Sequence, residues 1–70
     1  MIKVFRLEGL DCAACASELE QIISKVGGVK NASVDFIAQK ARFECGDERA
    51  AEEVRAKCNA FEDVKVIGEE

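Results

Sequence analysis

The sequence predicts an α+β fold in which a strand–helix–strand unit occurs twice, giving a four-stranded antiparallel sheet with two helices on one face. Three observations lead there. Two segments carry apolar residues at helical spacing, four shorter ones carry β-rich or alternating apolar residues, and short connections, most of them containing glycine or aspartate, separate them in the order βαββαβ. With 70 residues, 49% of them apolar, the chain is expected to form a single domain over residues 1–70, with a core contributing only a few kcal/mol of net stability.

Ile2 to Glu8, with Val4, Phe5 and Leu7, reads as a strand closed by Gly9. From Ala13 to Val26, apolar Cys15, Leu19, Ile22, Ile23 and Val26 recur at helical spacing, and Gly27-Gly28 supplies a stop. Val29 to Phe36 alternates, with Ala32, Val34 and Phe36 on one face and Asn31, Ser33 and Asp35 on the other. Ala41, Phe43 and Cys45 repeat that alternation after a short connection at Ile37 to Lys40, so a hairpin is expected. Asp47 is the expected N-cap of a second helix carrying Glu48 in its first turn, Ala51, Val54 and Cys58 on one stripe, and Lys57 in its last turn. The charges Glu52, Glu53, Arg55 and Lys57 are expected on its solvated back. Val64 to Ile67 closes the chain as a fourth strand before an acidic, frayed tail. This order is the split βαβ arrangement of a ferredoxin-like sandwich.

Composition narrows the chemistry. A net charge of −4 argues against a nucleic-acid surface and favours a basic protein partner. No run approaches the ~20 apolar residues of a membrane span and no charged-then-apolar leader is present, so a cytoplasmic location without membrane contact is expected. Histidine is absent, which leaves Cys sulfur, Asp or Glu oxygen and the single Met1 as ligands for a transition metal. Of the four cysteines only Cys12 and Cys15 are closely spaced, so a reducing compartment is expected in place of a disulfide framework.

The segment Gly9-Leu10-Asp11-Cys12-Ala13-Ala14-Cys15 sits where the first strand passes into the first helix. With Cys12 on the loop and Cys15 in the first helical turn, both sulfurs can bite one ion near the helix N-terminus. The partial positive charge there is expected to lower the thiol pKa values. Small Ala13 and Ala14 leave the loop free to wrap and keep the ion where a partner's thiols can reach it. Zinc ribbons and thioredoxin-type oxidoreductases use the same spacing. A ribbon needs a second close pair, whereas Cys45 and Cys58 are far apart on apolar stripes and read as reduced core residues. A dithiol oxidoreductase would need a longer chain and an aromatic, Pro or Gly beside or between the cysteines.

In this motif and in its βαββαβ setting, across essentially the whole chain, the sequence resembles the heavy-metal-associated domain family of copper chaperones, mercury-binding proteins and metal-transporting P-type ATPases. The family motif carries Met where Leu10 stands, and Leu10 is expected to fill the same buried space under the loop. Asp11, where copper-handling members carry Thr or Ser, resembles the amino-terminal domains of zinc-, cadmium- and lead-exporting ATPases. The resemblance thus implies Asp11, Cys12 and Cys15 as ligands for one Zn²⁺, Cd²⁺ or Pb²⁺, since divalent ions want three or four ligands and accept oxygen while Cu(I) is satisfied by two thiolates. Asp11 has a second reading as an N-cap accepting from the amides of Ala13 and Ala14. Phe61, in a loop that lies beside the metal in this family, resembles the ATPase domains and also continues the core stripe of Val54 and Cys58. The implied role is delivery or regulation within an efflux ATPase, with its other domains or a metal donor protein as partners and no catalytic residue. The alternatives are a free-standing Cu(I) or mercury metallochaperone and a dithiol oxidoreductase.

Overall fold

The computed structural model describes residues 1–70 and has the six elements in the expected order: β1 (Ile2–Glu8), α1 (Ala13–Ser24), β2 (Val29–Asp35), β3 (Lys40–Cys45), α2 (Glu48–Ala60) and β4 (Lys65–Glu69). The strands form one antiparallel sheet in the order β2-β3-β1-β4. Because β1 is central, the loop that follows it emerges between the β2–β3 turn and the α2–β4 loop. The loop that leads to Cys12 is therefore flanked by other parts of the chain, with Gln39 of the β2–β3 turn bonded to Leu10 and Asp63 of the α2–β4 loop against Gly9.

Each helix begins where a side chain satisfies its free amides. Asp47, extended at φ −157°, accepts from the Ala50 amide at 2.9 Å to start α2. Cys12 does the same for α1, its Sγ accepting from the Cys15 amide at 3.1 Å. The α1 helix stops at Ser24, two residues earlier than its apolar period suggests. The amides of Lys25 and Val26 bond to the carbonyls of Ile22 and Ile23, a tightened last turn, and Gly28 at φ +89° then reverses the chain. Val26 stays buried although it is no longer helical.

The core lies between the helices and one sheet face. Phe5 and Phe43, fully buried, meet edge to face at 5.2 Å between ring centres. Leu19 and Ile23 of α1, Val54 and Cys58 of α2, and Val64 just before β4 complete it. Ala16 replaces Cys15 and Ile22 on the buried stripe of α1, and those two are half-buried at its margin. Cys45 and Cys58 are buried and reduced, as their stripes imply.

Other departures have identifiable causes. The alternation of β2 is interrupted by a bulge at Asn31, which takes φ +52° and bonds to Glu44 at 2.7 Å, so Val29 and Ala32 both lean on the core. Phe36 lies in the turn, outside the strand. The chain end is not frayed. The Glu70 amide donates to the Val4 carbonyl at 2.8 Å, and Glu69 pairs with both Lys3 and Arg55. Arg55 also leaves the solvated back of α2, its guanidinium lying 4.7 Å from the Phe5 ring centre, so it covers the end of the core. No helix is long and apolar enough to cross a membrane.

Burial pushes the Cys58 thiol up from 9.0 to about 11, against the lowering effect of Arg55. An unfolded chain gives up this proton near pH 9, whereas the folded chain keeps it. Stability should therefore be flat below about pH 9 and fall between about pH 9 and 11, by at most about 1.4 kcal/mol per pH unit from this group. In urea unfolding, Cys58→Ala should start less stable at neutral pH and fall less steeply through that window. Equal slopes for the two proteins would contradict the assignment.

Candidate metal centre

The loop between β1 and α1 is shaped by three successive residues. Gly9 adopts φ +86°, and a Cβ there would lie 2.4 Å from the Asp63 carbonyl oxygen, so only glycine lets β1 pass this close to the α2–β4 loop. Leu10 turns into the core and is 2% exposed, filling the space expected of it. Asp11 is exposed, immediately before the helix cap. The cap is Cys12 and not Asp11, because the extended backbone that presents a side chain to the third helical amide falls one residue later, at φ −150° and ψ 151°. The Asp11 cap reading is therefore corrected.

Cys12 and Cys15 meet with their sulfurs 2.8 Å apart, both reduced and half-buried. Beside them a shallow pocket is lined by Cys15 with Gly9, Asp11, Phe61, Glu62 and Asp63. Phe61 ends α2, half-buried, and packs against the core while lining this pocket, so its two expected placements coincide. The structure joins the two thiols; it does not gather three Cys, Asp or Glu side chains into one ligand cluster, and Asp11 remains at the pocket rim.

Electrostatics here run opposite to the expectation from the helix N-terminus. The Cys15 thiol is pushed up from 9.0 to about 11, first by its hydrogen bond with Cys12, then by desolvation, and then by the negative charges of Cys12, Glu62 and Asp11. Two thiolates at this separation among carboxylates repel, so one proton stays between the sulfurs. A cation in place of that proton would neutralise the same charges. The pair can thus exchange a proton for a soft metal ion, which is ligand chemistry and needs no further catalytic group.

The heavy-metal-associated domain profile matches residues 4–61. The chain belongs to that family. As such it is a metal-binding module, and the isolated domain is not catalytic. It is 39% identical over 66 residues to a probable cadmium-transporting ATPase of Staphylococcus aureus, covering 94% of the chain and 8% of that relative. A copper-exporting P-type ATPase of Bacillus subtilis is 38% identical over 47 residues, covering 67% of the chain and 6% of the relative. The chain therefore spans less than a tenth of the length of these curated relatives. Among solved structures, the N-terminal domain of a potential copper-translocating P-type ATPase from Bacillus subtilis, in a Cu(I)-loaded state, superposes with a TM-score of 0.79 at 30% identity, covering 99% of this chain and 89% of that one.

Three residues at this candidate site were not singled out from the sequence. Glu62 and Asp63 follow Phe61 in the loop already expected beside the metal, so the signal was adjacent and stopped one residue short. Gln39, from the β2–β3 turn, bonds to both backbone polar groups of Leu10, and nothing in its local sequence marks it.

The Gly9 contact is testable against an internal control. Gly9→Ala should cost about 1–3 kcal/mol in chemical denaturation, since it combines an overlap with a left-handed backbone. Gly27→Ala, where an added Cβ meets nothing within 4 Å, should be near neutral. Equal effects at the two positions would remove the argument for close packing of the loop.

Proposed function

We propose that residues 1–70 act as one heavy-metal-associated domain that binds a single soft divalent ion, Zn²⁺, Cd²⁺ or Pb²⁺, through Asp11, Cys12 and Cys15. The domain then passes the ion on by ligand exchange, as the cytoplasmic delivery or regulatory module of a metal efflux ATPase. One observation supports this most: the dithiol lies in an acidic setting, with Asp11 and Glu62 close enough to act on Cys15 and both lining its pocket. Two thiolates alone suit Cu(I), whereas added carboxylate oxygen and negative charge favour a divalent ion. Asp11 is the proposed third ligand because it adjoins Cys12 on an exposed loop, and Glu62 is the other carboxylate at hand. Leu10 and Phe61 would shape the site without touching the metal. The cadmium-transporting relatives support the choice of ion, and reduced thiols suit a cytoplasmic location.

The proposed transfer proceeds one sulfur at a time. Three protein ligands leave a position for an incoming thiolate, which forms its bond before Cys12 or Cys15 releases the ion. Further domains of the ATPase or a metal donor protein would supply that thiolate. The copper-exporting relatives support a second reading, a Cu(I) carrier using the two thiolates alone.

Competition against a chelator under reducing conditions separates these readings. Cys12→Ser or Cys15→Ser should abolish tight binding, and Cys45→Ser should leave it unchanged. Asp11→Asn should weaken Zn²⁺ and Cd²⁺ by about ten-fold or more and change Cu(I) little. Unchanged Zn²⁺ and Cd²⁺ affinity in Asp11→Asn, with weaker Cu(I), would favour the copper reading instead.

A further inference from the structure

The loop carrying Cys12 has a backbone problem that the sheet does not solve. β1 ends at Glu8, so the amide and carbonyl of Leu10 have no strand partner, yet the Leu10 side chain is buried. Buried backbone polar groups left unpaired are costly. One side chain satisfies both. The Gln39 Oε1 accepts from the Leu10 amide at 3.2 Å, and the Gln39 Nε2 donates to the Leu10 carbonyl. The same Nε2 donates to the Phe36 carbonyl at 2.5 Å, and the Gln39 carbonyl accepts from the Leu7 amide at 2.8 Å. Gln39 thereby extends the pairing of β1 beyond its last sheet residue.

The backbone of Gln39 supports a dedicated role. It adopts φ +56°, the left-handed region where Gly or Asn is at ease and a long side chain is not. Glycine would remove the clamp, and asparagine would fall one methylene short. A strained conformation of this kind persists when its surroundings over-determine it, and here four hydrogen bonds do so.

We propose that Gln39 is a positioning residue for the metal loop: by gripping Leu10 through both of its backbone polar groups, it fixes the path of Asp11 and Cys12 so that they converge with Cys15 on one ion. This rests on the reading of Asp11, Cys12 and Cys15 as the site. A loop anchored one residue before its first ligand loses less freedom when metal binds, so the clamp tightens binding without touching the ion. It also joins the β2–β3 turn to the metal end.

Two variants test it. Gln39→Met keeps the length and loses the polar atoms, while Gln39→Gly relieves the backbone and loses the whole side chain. In metal-free protein, amide hydrogen exchange at Leu10 should accelerate about ten-fold or more in both, while the Phe5 and Phe43 amides keep their protection. In competition against a chelator, with Cd²⁺ as the probe, both variants should bind about ten-fold or more weakly. Wild type and Cys12→Ser serve as controls. Unchanged Leu10 exchange, or wild-type Cd²⁺ affinity in both variants while Cys12→Ser is binding-dead, would overturn the positioning role alone. Cd²⁺ binding that survives in Cys12→Ser would overturn the site reading and this proposal with it.

Discussion

Burial of Leu10 beneath its own loop is the constraint on which the metal end depends. An apolar side chain taken wholly out of water contributes about 1.5–3 kcal/mol, enough to hold a short irregular segment against the sheet. Once Leu10 is inside, the rest is constrained. Gly9 must pass the Asp63 carbonyl, the Leu10 amide and carbonyl must find Gln39, and Cys12 arrives with an extended backbone ready to cap α1. The dithiol is thus positioned by packing and backbone hydrogen bonds and not by a preformed ligand cage. The site can stay open at the surface while its supports are rigid.

That arrangement sets up a competition between proton and metal. The sulfurs are close, the neighbouring charges are negative, and the Cys15 proton is held up to about 11. Below that value, the proposed binding through Cys15 would displace a proton, so affinity would rise with pH. That proton is held first by the hydrogen bond with Cys12, and the carboxylates of Glu62 and Asp11 that add to the effect would also attract the proposed divalent ion. In the proposed function such a site would favour exchange, with the ion drawn in by charge, held by sulfur, and reachable from outside.

Much of the architecture was legible in the sequence because it follows from periodicity. The bounds of β1, the Asp47 cap and the stripe of Ala51, Val54 and Cys58 depend on local pattern alone. The Cys12–Cys15 pair was legible for the same reason, since its spacing and its position before a helical period carry the meaning. What was missed depends on turn geometry and on contacts that periodicity does not carry. The apolar period of α1 runs on to Val26, but the helix tightens and ends at Ser24. The acidic tail reads as frayed, whereas Lys3, Arg55 and the Val4 carbonyl hold it. The helix N-terminus suggested a lowered thiol, whereas a second sulfur at 2.8 Å and two carboxylates reverse the sign. Gln39 was invisible for the plainest reason: it lies 29 residues from its partner.

If a fold complete without metal presents one dithiol site between fixed neighbours, backbone amide resonances followed while Cd²⁺ is titrated into reduced protein should report it. Changes should saturate at one ion per chain and be confined to Gly9–Ala16, Gln39 and Phe61–Val64, with the amides of β3 and the middle of α2 unmoved. Loss of dispersed resonances in the metal-free protein, or shifts spread through the Phe5–Phe43 core on binding, would show instead that the metal builds the fold.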